Sequence, residues 1–494
     1  MTPHSPVSTT PHGRLSPDTR RLLRCAVASR LLVLSLIIIW RSLLSPYDTS
    51  ASINPPCLSS SDPPPSVVLP GVGSWIERSI VWDGVYFTRI AECGYEYEQT
   101  YAFLPLLPLC LSLLSKTVFA PLVPVIGFRA VLGLSGYVLN NLAFVFASLY
   151  LYRLSVIVLK DKEVALRASV LFCFNPASIF YSSIYSESLY ALLSFGGLYY
   201  FMSGTNFCAT FWFALSGCAR SNGVLNAGYI CFRSMQQVNE AFISRKRSYL
   251  RMMKVLFVGA LCSVCIFAPF ISFQAYGYFK LCIGRSVGEM RPWCKARLPL
   301  LYNYIQSHYW GVGFLRYFQV KQLPNFLLAS PILSLAICSI AYYVKLWSEV
   351  FLSLGLRFSS IEDESSVSPS STPNVMQDDD RAPGLRKRER AMKREDVVTR
   401  PSKSDNIPNS PRYDPIVILP FVLHLSFMVA TAFFVMHVQV ATRFLSASPL
   451  LYWFASHIMG SPSVGKKWGH FIWTYCAAYI LLGTLLFSNF YPFT

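Results

Sequence analysis

Residues 81–98 read VWDGVYFTRIAECGYEYE, which sets Asp83 directly behind a tryptophan and follows it with Glu92, Glu96 and Glu98. On a helix, Asp83, Phe87 and Ile90 share one face and Trp82, Tyr86 and Arg89 another. Residues 80–92 are therefore expected to form a short amphipathic helix along a membrane surface. A carboxylate at its start is favoured in the ionised form by the helix dipole. Such a group is suited to act as general base on any hydroxyl within hydrogen-bond reach. It is equally suited to be an ordinary helix cap, and the residues alone leave both roles open. Glu92, Glu96 and Glu98 could each bind acceptor hydroxyls or an ammonium, or simply be solvated acids of the same loop.

Other charges stand where a bilayer makes them expensive. Glu187 lies in YSES between two apolar runs, and Arg220 lies in CARSNG inside another. Ionisable groups at that depth are expected to be paired or to face a cavity. Glu187 reads as a site carboxylate or as a helix start with Ser186, and Arg220 as its ion-pair partner or as a phosphate ligand. Arg443 follows MHVQVAT on a short turn, where it could hold a lipid phosphate or snorkel to the interface. His437 and Gln439 flank that turn. Arg291, Trp293, Tyr309 and Trp310 belong to a stretch rich in Tyr, Arg and Trp, residues that either cradle a sugar or anchor at the interface.

These residues need a scaffold, and the composition says which kind. Of 494 residues, 53% are hydrophobic and 14% charged, where a soluble domain carries roughly 25% charged residues. The expected fold class is an all-α polytopic membrane bundle. Eleven apolar runs approach the ~20 residues that a spanning helix requires: 25–45, 103–125, 130–157, 166–184, 186–204, 207–232, 255–275, 323–345, 414–436, 444–460 and 471–490. Run 103–125 contains Pro105, Pro108, Pro121 and Pro124, so it reads as re-entrant as readily as spanning. If all runs span, Glu187 turns toward the cytosol. A re-entrant 103–125 puts it on the side of Asp83, and the interruption at CARSNG then restores parity.

Arginines ahead of the first run read as the cytosolic flank of a retained signal anchor, in preference to a cleaved signal peptide, for which a clear small-x-small site is lacking. The chain then divides into a cytosolic tail 1–24 and a transmembrane core 25–345 with non-cytosolic loops 46–102 and 276–322. A Ser-, Pro-, Asp- and Arg-rich loop 346–412 is expected to be disordered and cytosolic, and 413–494 to form the C-terminal spans. The formal net charge of +18 is concentrated in membrane-flanking loops, which argues for topogenic charge and against nucleic acid as a partner. Most of the fourteen cysteines behave as small hydrophobes, and no metal site is expected. Cys57 and Cys93 share one loop and Cys282 and Cys294 another; disulfides would suit an oxidising compartment, but spacing does not establish the pairing. A transporter would show two related broken-helix halves, and no internal repeat is visible.

The stretch WDGVYFTRIAECGYEYEQTYAFLPLLPL resembles the corresponding stretch of the PIG-V family of GPI mannosyltransferases, whose fold is of the GT-C type. FCFNPASIFYSSIYSESLYA (172–191), ARSNG (219–223), RPWC (291–294), YWGVGFLRYFQVKQLPNFLLASP (309–331) and MHVQVATRFLSASP (436–449) follow in the family's order. The resemblance implies a multi-pass enzyme of the endoplasmic reticulum with a lumenal active site. It implies transfer of mannose from dolichyl phosphate mannose to the 6-position of the first mannose of a GPI precursor, giving the α1,6-linked second mannose. It also places the catalytic acid of the first lumenal loop at Asp83. On this reading the reaction inverts at the sugar, needs no cofactor beyond its lipid donor, and leaves room for an accessory membrane subunit. Another dolichyl-phosphate-sugar-dependent transferase and a lipid or sugar transporter are the alternatives.

Overall fold

The computed structural model describes residues 16–45, 47, 57–58, 66–243, 248–284, 288, 290–356, 413–463 and 465–491. Among these residues the chain is helical throughout and contains no strand. Six of the described helices are long and apolar enough to cross a membrane: Pro17–Leu43, Phe128–Leu159, Tyr249–Cys282, Val320–Leu346, Pro415–Phe434 and Gly465–Ser488. The chain is thus an all-α, multi-pass membrane protein.

The remaining runs of the expected eleven are broken, for reasons visible in their residues. The proline-rich run 103–125 folds as Leu106–Lys116 and Ala120–Ile126, bent by 68° from each other. Run 166–184 ends its first helix at Cys173, just before Pro176, whose nitrogen has no proton to donate to a helical carbonyl. The chain resumes as the short helix Ser178–Ser182 and then as Glu187–Met202. Run 207–232 is divided by the 3-10 turn Ser221–Asn226 into Asn206–Ala219 and Ala227–Ile243. Run 444–460 becomes Ala441–Leu445 and Pro449–Met459.

Three irregular turns result, residues 174–186, 220–226 and 435–448, each holding no more than short helical pieces. Irregular backbone at membrane depth persists only when it is buried in protein or lines a cavity. Asn175, Ser178 and Ser182 of the first turn have no exposed surface, and Ser446 of the third is 1% exposed. Hydrogen bonds tie the turns together. Tyr181 and Ser446 join their hydroxyls at 2.9 Å, and Tyr452 donates to the Ser446 carbonyl at 2.6 Å. Asn140, on the Phe128–Leu159 helix, donates to the carbonyls of Ser183 at 2.6 Å and Tyr185 at 2.9 Å. Gly136, one turn earlier, lets the chain approach so closely that a Cβ there would stand 2.8 Å from Ile184.

The two ends of the bundle differ in charge. Arg129 opens the Phe128–Leu159 helix beside Glu92 of the first loop, and Lys160 closes it about 48 Å away by helical rise. At that far end Arg233 donates to the Phe201 carbonyl at 2.9 Å and Arg167 to the Ser456 carbonyl at 3.1 Å. The three irregular turns face the other way, toward the first loop. The first helix starts at Pro17, within the stretch 1–24 expected as a tail, with the Ser16 hydroxyl accepting from the Thr19 N–H at 3.2 Å. The loop expected at 346–412 lies outside the described residues from 357 onward.

Candidate active site

Four charged side chains converge where the first loop meets the irregular turns. Arg443 donates to Asp83 at 3.0 Å and lies 3.7 Å from Glu187, which also pairs with Arg220. The order Asp83–Arg443–Glu187–Arg220 alternates in sign, so the four formal charges cancel. Glu187 is 2% exposed, and Asp83, at 35%, is the member open to an incoming molecule.

Local structure holds each member in place. The helix is Asp83–Cys93, starting later than the sequence suggested, and Asp83 makes no side-chain cap. Its carboxylate points to Arg443, so the capping role is not the one adopted. Trp82 just before it has φ 54°, a conformation that costs a non-glycine residue of the order of 1–3 kcal/mol and recurs at functional sites. The last helix maintains it: the Trp82 indole N–H donates to the Phe487 carbonyl at 3.1 Å, and its ring meets Phe490 at 5.7 Å. The Asp83 backbone N–H donates to the Tyr185 hydroxyl at 3.1 Å, which joins the first loop to the 174–186 turn. Glu187 begins its helix without a cap from Ser186; that hydroxyl accepts from Arg220 at 3.4 Å instead. Arg443 lies 5.3 Å from the Phe180 ring and 5.5 Å from the Tyr185 ring, a cationic contact that supplements its ion pairs.

Three polar atoms at this place are buried without a hydrogen bond, Glu187 Oε2, Arg443 Nε and the Asn222 side-chain nitrogen, while Glu187 Oε1 is held in its ion pair with Arg220. Unsatisfied buried polar atoms are rare in folded proteins. Arg443 Nε and the Asn222 amide are donors, so the site has spare capacity for an acceptor beside its two guanidinium groups.

The other predicted residues fall into two further groups. Glu92 pairs with Arg129 at 2.8 Å and Glu96 with Arg89 at 2.6 Å, so these two brace the first loop outside the cluster. Cys57, Cys93 and Glu96 lie close enough for a metal, but the two thiols are joined in a disulfide. Cys282 and Cys294 form the second disulfide, which resolves both open pairings. Cys262 and Cys265, spaced C-x-x-C on the long Tyr249–Cys282 helix, are free thiols.

Arg291, Trp293 and Tyr309 converge on Glu98, which the sequence did not distinguish from Glu92 and Glu96. Its carboxylate is 5% exposed. It accepts from the Trp293 indole at 2.7 Å and from the Tyr309 hydroxyl at 2.7 Å, with Arg291 at 3.6 Å. These residues form a clasp between the two large loops. Burial first, and the Glu98 carboxylate second, push the Tyr309 hydroxyl up to about 12. The raised value means the neutral hydroxyl is favoured in the folded state. Its contribution is complete below about pH 10 and is lost only as pH rises through about 12. Trp310 and His437 meet each other, the Trp310 carbonyl lying 2.7 Å from the imidazole, and His437 stacks on Tyr317 at 4.7 Å. The second loop reaches the cluster through Tyr302, whose hydroxyl lies 2.8 Å from that of Ser221, next to Arg220.

Replacing Glu98 with Gln leaves one acceptor oxygen and puts an NH2 where the other stood, so either the Trp293 indole N–H or the Tyr309 hydroxyl loses its acceptor. The clasp is expected to lose about 1–3 kcal/mol. Limited trypsin digestion of the folded protein should then cut faster at Lys295 and Arg297 while the transmembrane core stays resistant; unchanged cleavage would refute the clasp.

Comparison with known proteins gives the chemistry to set beside this geometry. The family model described as Mannosyltransferase (PIG-V) matches residues 19–494. The Cricetulus griseus protein named GPI alpha-1,6-mannosyltransferase 2 is 31% identical, the alignment covering 90% of this chain and 85% of that protein. The Homo sapiens protein of the same name is 29% identical over 90% of this chain and 84% of its own length. The Drosophila melanogaster protein named GPI mannosyltransferase 2 is 28% identical over 96% of this chain and its entire length. No solved structure gives a significant match.

Proposed function

The chain belongs to the PIG-V mannosyltransferase family and is a multi-pass membrane enzyme; from that premise we propose that it adds the second, α1,6-linked mannose to a GPI-anchor precursor, with dolichyl phosphate mannose as donor. The observation that carries this reading is the alternating cluster Asp83–Arg443–Glu187–Arg220 at the end of a membrane bundle. It offers one accessible carboxylate and two cations, the groups needed to move a sugar from a lipid phosphate to a hydroxyl.

Asp83 is the general base. It takes the proton from the acceptor 6-hydroxyl as that oxygen bonds to the anomeric carbon of mannose. The bond from that carbon to the phosphate oxygen breaks on the opposite face, so a β-linked donor gives an α-linked product. Dolichyl phosphate departs as a stable anion and needs no general acid. Arg443 and Arg220 stabilise the charge that develops on it, since a guanidinium matches phosphate geometry through paired donors. Because Arg443 also grips Asp83, a phosphate that engages Arg443 competes for that guanidinium and leaves the carboxylate better able to accept a proton. Binding the donor and arming the base are thus coupled. No metal or nucleotide enters this scheme.

The disulfides Cys57–Cys93 and Cys282–Cys294, both in the loops on the cluster's side, support an oxidising compartment there, hence the lumenal face of the endoplasmic reticulum. The basic residues at the opposite end support the same orientation.

The test is mannosyl transfer in microsomes that lack their own second GPI mannosyltransferase. Given this chain, labelled dolichyl phosphate mannose and the one-mannose GPI lipid, they should form a two-mannose lipid whose new residue is released by an α1,6-specific mannosidase. Label incorporated at another position, or drawn only from a nucleotide sugar, would overturn the assignment. Should the chain alone be inert, adding back solubilised wild-type membranes depleted of their own second GPI mannosyltransferase tests for an accessory membrane subunit.

A further inference from the structure

The first helix, read from sequence as an anchor, carries a buried cation in its middle. Leu22, Ala26, Ser29, Arg30, Val33 and Ile37 form its buried face, and Arg30 is 3% exposed. No carboxylate pairs with Arg30 among the described residues. Its guanidinium instead donates from Nη1 to the Ser178 carbonyl at 3.0 Å and the Ser182 hydroxyl at 2.9 Å. Nη2 donates to the Cys173 carbonyl at 3.2 Å and the Ser178 hydroxyl at 3.2 Å, and Nε to the Ser29 hydroxyl at 3.3 Å. The group also lies 3.7 Å from the centre of the Phe144 ring.

A guanidinium has five N–H donors, and all five are engaged. Arg30 therefore has no donor left for a substrate phosphate or sugar, and it contributes by holding other groups. What it holds is specific. Cys173 ends one helix, and Ser178 and Ser182 are the first and last residues of the short helix that follows. Loose carbonyls at helix ends need donors, and water cannot supply them in this interior. The Ser182 hydroxyl passes the restraint on, donating to Asn141 at 3.0 Å, while Asn140 grips the Ser183 and Tyr185 carbonyls. The segment leaves this clamp and presents Tyr185 to the Asp83 backbone N–H and Glu187 to Arg443 and Arg220.

We infer that Arg30 is a positioning residue, which clamps segment 173–182 so that Tyr185 and Glu187 meet Asp83, Arg443 and Arg220 in register. The inference rests on the reading of that cluster as the transfer site. A lysine offers three donors from a single point and cannot reproduce the fork. Displacing reacting groups by about 1 Å costs on the order of 10²-fold in rate even when the change is remote. Turnover should suffer while ground-state binding of two lipids, held mostly by their tails and head groups, does not.

The experiment uses the full chain in membranes, with Arg30→Lys and the gentler Ser182→Ala, which removes one acceptor of the clamp. Transfer is normalised to folded protein, measured as the monodisperse fraction in mild detergent. Arg30→Lys should lower kcat by on the order of 10²-fold with KM for either lipid within about twofold, and Ser182→Ala by a smaller factor. A second reading does not depend on activity: Ser186→Cys places a thiol at a position 5% exposed, and its maleimide labelling is followed at that peptide by mass spectrometry. Labelling of the introduced thiol should be slow with Arg30 present and faster with Arg30→Lys or Ser182→Ala. Unchanged kcat per folded molecule in both variants overturns the proposal, as does unchanged labelling. A wild type that transfers no mannose overturns the functional reading instead, and the labelling result then decides the clamp alone.

Discussion

Arg443→Gln is expected to leave the protein in the membrane at near wild-type levels and to reduce mannosyl transfer by roughly 10³-fold. Glu187 keeps its pairing with Arg220, and Asp83 is exposed enough to be hydrated when its partner is removed, so neither carboxylate is stranded. What disappears is the cation that joins both carboxylates and faces the leaving phosphate. Removing one preorganised charge from a developing anion typically lowers turnover by roughly 10²–10³-fold, and the loss of donor-coupled release of Asp83 adds to it. Arg443→Lys retains the charge but not the fork, and should fall between the two. The check is kcat and donor KM on matched membranes. Activity of Arg443→Gln within about tenfold of wild type would mean the phosphate is held elsewhere.

Glu187→Gln should fail differently. Its carboxylate is buried between two guanidinium groups, and neutralising it leaves two like charges facing each other with one pair and no bridge. Breaking a buried ion pair by removing one partner costs about 3–5 kcal/mol, a large share of the total stability of a domain. The expected result is a marked loss of folded protein, seen as a lower detergent-stable fraction and a lower melting temperature, with transfer per cell falling further still. Normal accumulation of Glu187→Gln would show that Arg220 and Arg443 have other counter-ions.

Much of this centre was legible in the sequence because charge in an apolar run is a strong signal. Glu187 and Arg220 stood out for that reason, Asp83 as a carboxylate behind a tryptophan in the first loop and Arg443 as a cation on a short turn, and the structure brings the four together although they span 360 residues. The proline content of 103–125 correctly signalled a break, and with it the placement of Glu187 on the side of Asp83. The short runs after it were harder. Asn175, Pro176 and the SNG of 221–223 turn spans into broken arms, but hydropathy averages over them. Side chains of the loops were least legible. Glu92, Glu96 and Glu98 look alike in sequence, and only packing against Trp293 and Tyr309 distinguishes Glu98 as the buried one. Arg30 carried the same signal as Arg220. It was masked by a cluster of arginines just ahead of it that explained the first helix as an anchor.

The central claim is that Asp83 is the base of a transfer reaction, and the most direct measurement is made on Asp83→Asn. Donor binding and transfer should be measured on one preparation, with labelled dolichyl phosphate mannose and the one-mannose GPI lipid. Asn keeps the shape and hydrogen-bonds to Arg443 but cannot take a proton at neutral pH. The expected result is donor bound at wild-type affinity or better, since Arg443 is released to the phosphate, with transfer down by about 10²–10⁴-fold. Equal transfer by Asp83→Asn and wild type would contradict the account and leave Asp83 as a structural partner of Arg443.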